Sequence, residues 1–129
     1  MGVARAIYEY SKMGWTVLAP LSDSDKYDLV VDDGTTLLKV QVKTTRCVQK
    51  AYGKPGNRTG YLVQVATSGG NQTTNKRILR QDTDYDLLFV LADSGQCWSI
   101  PSSALIGIRN SVTVGSTSPR AKYKQYELQ

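Results

Sequence analysis

Residues 26–45 read KYDLVVDDGTTLLKVQVKTT. The β-branched run 27–31, the Asp-Asp-Gly turn signal and the alternation of 36–45 predict two strands joined by a tight turn at Asp32–Thr35. In the second strand Leu38, Val40 and Val42 share one face, and Lys39, Gln41 and Lys43 share the other. A simple core would ask for apolar residues where Gln41, Lys43 and the Asp28 that opens the first strand stand. Antiparallel pairing brings Asp28 alongside, so Asp28, Gln41 and Lys43 can converge at one end of a sheet and face a site. The plainer reading keeps Asp28 as a strand opener, with Gln41 and Lys43 on a solvated face.

Outward from this hairpin, the element order is helix, about five strands, then a short helix. Residues 2–13 place Val3, Ile7 and Tyr10, with Ala6 and Met13 beside them, on one helical face, and Gly14 stops the helix. Strands are expected at 15–19, 61–66, 85–92, 96–100 and 110–115, with 85–92 buried on both faces because it is almost continuously apolar. Pro101 suits the first position of a short helix. Segments 46–60 and 67–77 read as polar loops, and the tail from about 116 to 129 as polar, basic and helical or irregular. The fold class expected is α/β (α+β), one domain over 1–129 with a mixed central sheet flanked by helices.

Composition narrows the chemistry. The 129 residues contain no histidine, which excludes Ser-His-Asp and Cys-His nucleophile systems and leaves carboxylates, lysines and an oxygen-held metal as tools. Two cysteines, Cys47 and Cys97, without histidine do not make a four-ligand zinc site, and reduced thiols in a cytoplasmic protein are the expectation. No apolar run is long enough for a membrane span, and no signal peptide is visible at the start of the sequence. With 16 Lys and Arg against 11 Asp and Glu, the net charge of +5 favours an anionic partner, nucleic acid ahead of membrane or a small-molecule substrate.

A hard divalent cation takes oxygen ligands. The Asp28 carboxylate, the Gln41 amide oxygen and the Val42 carbonyl supply such a set, and Lys43 would bring positive charge to a phosphate and an attacking water. The pattern YDLVV…LKVQVK resembles the core of the PD-(D/E)XK nuclease superfamily, and more closely the small group I intron homing endonuclease branch, where QVK replaces EVK and a DYDLLFVL strand precedes a CWSIP-like strand. The resemblance covers most of residues 2–106. It implies a single restriction-endonuclease-like domain acting as a Mg2+-dependent double-stranded DNA endonuclease, homing-type, phage- or intron-encoded, with Mn2+ as a substitute cation.

By the same resemblance Asp28 is the main metal ligand, Gln41 stands where a second acid usually stands, and Lys43 is the catalytic lysine. Many members also carry a glutamate on the first helix, where this chain has Val3. Glu9 is the helix's acid, six positions on and about 240° around the axis. Glu9 substitutes, a neighbouring subunit does, the chain is shortened at its start, or the site does without. The alternatives are a Holliday-junction resolvase sharing the core and a DNA-binding module without catalysis.

The DNA contacts expected are Lys39, Arg46, Lys50, Lys54, Arg58, Lys76, Arg77, Arg80, Arg120, Lys122 and Lys124 for phosphates, and Asn71, Gln72 and Asn75 for base edges. A chain of 14.2 kDa has a small footprint, so a homodimer or homotetramer is expected, working in the cytoplasm of a bacterial or phage-infected cell.

Overall fold

A computed structural model describes residues 1–22, 26–46, 48–50, 59–68, 77–116 and 122–129. Helix α1 (Gly2–Lys12) ends in a glycine cap. Gly14 has φ 85°, its N–H donates to the Ser11 carbonyl at 2.9 Å, and Trp15 N–H reaches back to the Tyr10 carbonyl at 3.1 Å. The Trp15 ring stacks on Tyr10, with centroids 5.5 Å apart, which supplies the apolar contact such a cap normally carries.

The main sheet has six strands in the order β1-β2-β3-β8-β9-β11. Strands β1 (Thr16–Leu18), β2 (Leu29–Asp32) and β3 (Leu37–Thr45) form an antiparallel meander. The β2–β3 turn is built as its Asp-Asp-Gly sequence demands. Asp32 accepts from Gly34 N–H at 2.8 Å, Asp33 accepts from Thr35 and Thr36 N–H at 2.9 and 2.8 Å, and Gly34 takes φ 101°. Strand β8 (Leu87–Ala92) lies parallel to β3, β9 (Cys97–Pro101) returns antiparallel to it, and β11 (Glu127–Leu128) adds to β9. A second sheet runs β10-β5-β4, from β4 (Val48–Lys50), β5 (Thr59–Gln64) and β10 (Ser111–Val114). Short strands β6 (Thr67–Ser68) and β7 (Arg77–Ile78) pair with each other.

The period of two sorts the main sheet into two faces. One face packs on α1 in a cluster of Ala6, Tyr10, Leu29, Val31, Val40, Phe89 and Cys97. The reverse face joins Leu88, Val90, Trp98 and Ile100 to Val63, Val112 and Val114 of the second sheet. Strand β8 therefore buries both faces, as its unbroken apolar run requires. This mixed α/β arrangement is the expected fold class.

Four sequence expectations change. Strand β4 lies inside the segment read as a loop at 46–60, and β6 and β7 lie at the ends of the one read at 67–77. The tail, expected helical or irregular, carries a 3-10 turn at Lys124–Tyr126 and then supplies β11, one edge of the main sheet. Pro101 precedes the short helix, which is a 3-10 turn at Ser102–Leu105. The buried face of α1 is Gly2, Ala6, Glu9 and Tyr10, whereas Val3 and Ile7 are 41% and 39% exposed. The reason is clearance. A Cβ on Gly2 would lie 2.8 Å from Thr44 Cγ2 and 3.0 Å from Val42 Cγ1, so the small residues Gly2 and Ala6 set how closely the helix approaches β3.

Ala6 and Tyr10 keep the buried side expected of them, and the shift of the face away from Val3, Ile7 and Met13 is testable. Tyr10 is fully buried and bonds through its hydroxyl to Ser99 Oγ at 2.7 Å. Tyr10→Ala should cost about 3–5 kcal/mol of unfolding free energy in denaturant titration, and Ile7→Ala less than about 1 kcal/mol. Equal costs would contradict the assignment.

Candidate active site

Strand β2 begins at Leu29, which pairs with Val40 of β3, so the ladder has ended by the level of Gln41. Asp28 stands at that end and continues the contact by other means. Its N–H donates to the Val40 carbonyl at 2.8 Å. Its Oδ2 accepts from the Val42 N–H at 2.8 Å and from Gln41 Nε2 at 3.0 Å. A strand residue directs its N–H and carbonyl to the same edge, so the Val42 carbonyl lies on the Asp28 side.

Gln41 is 8% exposed and Lys43 is half-buried, and both face away from α1. Burial pushes the Lys43 ammonium below its ordinary pKa, and the Asp28 charge partly offsets that shift. The structure thus brings together Asp28, Gln41, Val42 and Lys43. The Asp28 carboxylate and the Val42 carbonyl are oxygen donors that fit a hard divalent cation, and Gln41, which turns its amide nitrogen to Asp28, would add its oxygen on rotating the amide. Among the described residues no group of three or more His, Cys, Asp or Glu is arranged to hold a metal, and Asp28 is the one carboxylate in the described constellation.

Glu9 does not complete this set. It is buried on the α1 face, where Arg5 Nε and Lys12 Nζ hold it at 3.0 and 3.2 Å and Cys97 of β9 is its electrostatic neighbour. Burial alone would raise its pKa, but these two cations hold it below the usual carboxylate range. Gln41 and Lys43 lie on the opposite face of β3, two strands away. The helical period that separates Glu9 from Val3 puts the acid into the core against β9.

Arg80 is also reassigned. Expected to meet phosphate, it is 2% exposed. Its Nε donates to Tyr85 Oη at 2.9 Å, and its Nη1 donates to Asp82 and to the carbonyls of Leu105 and Ile108 at 2.9 to 3.1 Å. It ties the entry to β8 to the turn before β10. Of the other expected phosphate contacts, Arg46, Lys122 and Lys124 are exposed, while Lys39 reaches the Thr83 carbonyl at 3.4 Å and lies 5.8 Å from the Tyr27 ring. Lys50 and Arg77 fall on β4 and β7. Lys54, Arg58, Asn71, Gln72, Asn75, Lys76 and Arg120 lie outside the described residues.

Sequence reading missed Asp86. Its Oδ2 accepts the Lys39 N–H at 2.8 Å, and its own N–H donates to the Lys39 carbonyl at 2.9 Å. Asp86 grips β3 from the β8 edge as Asp28 grips it from the β2 edge. The signal was present as a repeated Tyr-Asp-Leu, at 27–29 and 85–87, opening each strand that flanks β3.

An α/β sheet with an Asp…Gln-X-Lys constellation at a strand end defines a class of enzyme, the restriction-endonuclease-like nucleases. The chain belongs to the PD-(D/E)XK endonuclease family, whose sequence profile matches residues 1–127. It is 36% identical over 86 residues to protein 5.3 of Escherichia phage T7, a match covering 67% of this chain and 63% of that protein's length. It is also similar to the solved structure of a bacterial homing endonuclease, I-Ssp6803I, with a TM-score of 0.73 at 27% identity over 98% of this chain and 83% of that one.

The Arg80 network carries a pH dependence. Asp82 accepts from Arg109 Nη1 and Nη2 at 2.9 and 3.2 Å and from Arg80 Nη1. Arg109, ahead of Arg80, holds its pKa down to about 2. A lowered carboxylate pKa stabilises the fold above the unfolded value near about 4, and that contribution disappears as pH falls through about 2. Denaturant titrations between these limits should show stability falling with pH, and Asp82→Asn should flatten that slope. An unchanged slope in the variant would contradict the role.

Proposed function

We propose that this chain is a Mg2+-dependent, site-specific endonuclease of the homing type that hydrolyses phosphodiester bonds in double-stranded DNA. The observation that carries the reading is the convergence of Asp28, Gln41, Val42 and Lys43 at one strand end in a chain of the PD-(D/E)XK endonuclease family. Asp28, the Gln41 amide oxygen and the Val42 carbonyl would hold the cation. A divalent cation there supplies Lewis-acid polarisation of the phosphate and a more acidic bound water.

The chain's own groups do the rest. Lys43 lies within electrostatic reach of Asp28, and the proton affinity lowered by burial suits an amine that steers a proton or a phosphate oxygen. Gln41 hydrogen-bonds Asp28 and keeps the carboxylate aimed at the strand end. The exposed cations Arg46, Lys122 and Lys124, with the net charge of +5, suit a polyanionic duplex. Two or four copies would extend the footprint of a 14.2 kDa chain and permit both strands to be cut. The buried Cys97 thiol accords with a reducing cytoplasm, in a bacterial or phage-infected cell.

One observation favours a second reading. With a single carboxylate in the set, the chain would serve as a DNA-binding module that has lost catalysis.

A mixed duplex library incubated with Mg2+, followed by sequencing of the cut ends, should return one enriched site. Linear duplex should be cut in preference to four-way junctions. Asp28→Ala and Lys43→Ala should each abolish cleavage while leaving the fold and most DNA affinity in place; Asp28→Ala should also lower the melting temperature, because it leaves the Val42 N–H without its acceptor, whereas Lys43→Ala should not. Gln41→Glu should lower the Mg2+ concentration needed for half-maximal cleavage several-fold, because it adds a charge to the ligand set. Cleavage by Asp28→Ala at the parent rate would sink the proposed site. Tight, salt-sensitive binding with no cleavage in Mg2+ or Mn2+ would favour the binding module.

A further inference from the structure

Strand β3 changes partner in the middle of the candidate active site. Its residues 37–40 pair with β2, and its residues 40–45 pair with β8. Val40 is the one described residue of β3 paired with both. Gln41 and Val42 follow directly on this handover. With a single shared rung, main-chain groups on either side of it lose their ladder partners, and in a partly buried strand such groups need substitutes.

Two aspartates supply them. From the β2 side, Asp28 gives its N–H to the Val40 carbonyl, and its carboxylate accepts the Val42 N–H. From the β8 side, Asp86 gives its N–H to the Lys39 carbonyl at 2.9 Å, and its carboxylate accepts the Lys39 N–H at 2.8 Å. Each grip reaches past Val40 into the stretch that the other strand pairs, so the handover is spliced from both edges. Asp86 is itself anchored, because its carbonyl accepts the Ser102 N–H at 2.8 Å just beyond β9. Lys39 and Val42 bracket Gln41. Movement of β3 against β2 at this level would change the separation of the Asp28 carboxylate from the Gln41 amide and the Val42 carbonyl, and Asp86 opposes that movement from the far edge. Groups that must meet a cation and a phosphate together are sensitive to such movement, a displacement of about 1 Å costing about 100-fold in rate.

We propose that Asp86 is a positioning residue of the nuclease site: its carboxylate sets the level of β3 at the handover and so keeps the Gln41 amide and the Val42 carbonyl in register with Asp28. The proposal rests on the endonuclease reading above. It adds to that reading a residue that acts on the reaction through the main chain of the strand carrying the site.

The test compares Asp86→Ala, Asp86→Asn and Asp86→Glu with the parent chain on the duplex recovered from the cleavage selection, well below every melting transition. Asp86→Ala removes the acceptor. It should lower kcat by about tenfold or more with KM for the duplex nearly unchanged, and it should weaken Mn2+ binding several-fold in the absence of DNA, read from the paramagnetic resonance of free Mn2+. Asp86→Asn keeps an oxygen for the Lys39 N–H and should restore most of both values. Asp86→Glu keeps the charge but sets the acceptor one methylene further out. It should fall between parent and Asp86→Ala, and it carries the test should Asp86→Ala fail to fold. Tyr10→Phe, which removes the Ser99 contact on the α1 face, is the control for lost stability and should melt lower yet cut and bind Mn2+ as the parent does. Parent kcat and Mn2+ affinity in folded Asp86→Ala, or in Asp86→Glu where that variant does not fold, would overturn the assignment and leave the nuclease reading standing. So would an Asp86→Asn as impaired as Asp86→Ala, because the charge and not the contact would then be at work. A parent chain that neither binds Mn2+ nor cuts any duplex would overturn both.

Discussion

The hydrogen bond from the Val42 N–H to the Asp28 carboxylate is the contact on which the site depends. Strand β2 stops pairing at Leu29, and the next outward-directed amide of β3 would otherwise lose its ladder partner inside a partly buried sheet. A carboxylate one residue before the strand repairs the loss. The same contact fixes the carboxylate against Gln41 and within electrostatic reach of Lys43. Structural need and proposed chemical use therefore coincide in one side chain. Asp86 performs the matching repair on the other edge at Lys39, so β3 is held at adjacent levels by two aspartates that each open a neighbouring strand.

Gln41 changes the balance at this strand end. A carboxylate at that position would stand against Asp28 and repel it until a cation arrived. The amide instead donates to Asp28, which leaves the pair satisfied without metal. The cost is a ligand set with one fewer negative charge, hence weaker attraction for the cation. With Glu9 turned to the other face of the sheet, it does not supply a second carboxylate here.

Much of this was legible in the residues. The strand pair 27–45, its turn and the shared face of Gln41 and Lys43 follow from period-two alternation and Asp-Asp-Gly chemistry, which act locally. The doubly buried 85–92 strand follows from an unbroken apolar run. The misreadings have a common cause, in that they depend on what each segment packs against. Val3 and Ile7 look like a buried stripe by hydropathy, yet Gly2 and Ala6 win because close approach to Val42 and Thr44 needs small residues. Arg80 looks like a surface cation, yet the carbonyls of Leu105 and Ile108, distant in sequence, draw it inside. The tail shows no strand period over its two paired residues, and only the open edge of β9 gives it one.

The proposed nuclease site holds a single hard cation between Asp28, just before β2, and Gln41–Val42 in the middle of β3. Fe2+ bound in place of Mg2+ and supplied with hydrogen peroxide and ascorbate reduces the peroxide to hydroxyl radicals, which cut the polypeptide next to the metal. The account predicts scission confined to the neighbourhoods of Asp28 and of Gln41–Val42, suppressed by excess Mg2+ and lost in Asp28→Asn. Scission elsewhere in the chain, or the same pattern in Asp28→Asn, would contradict it.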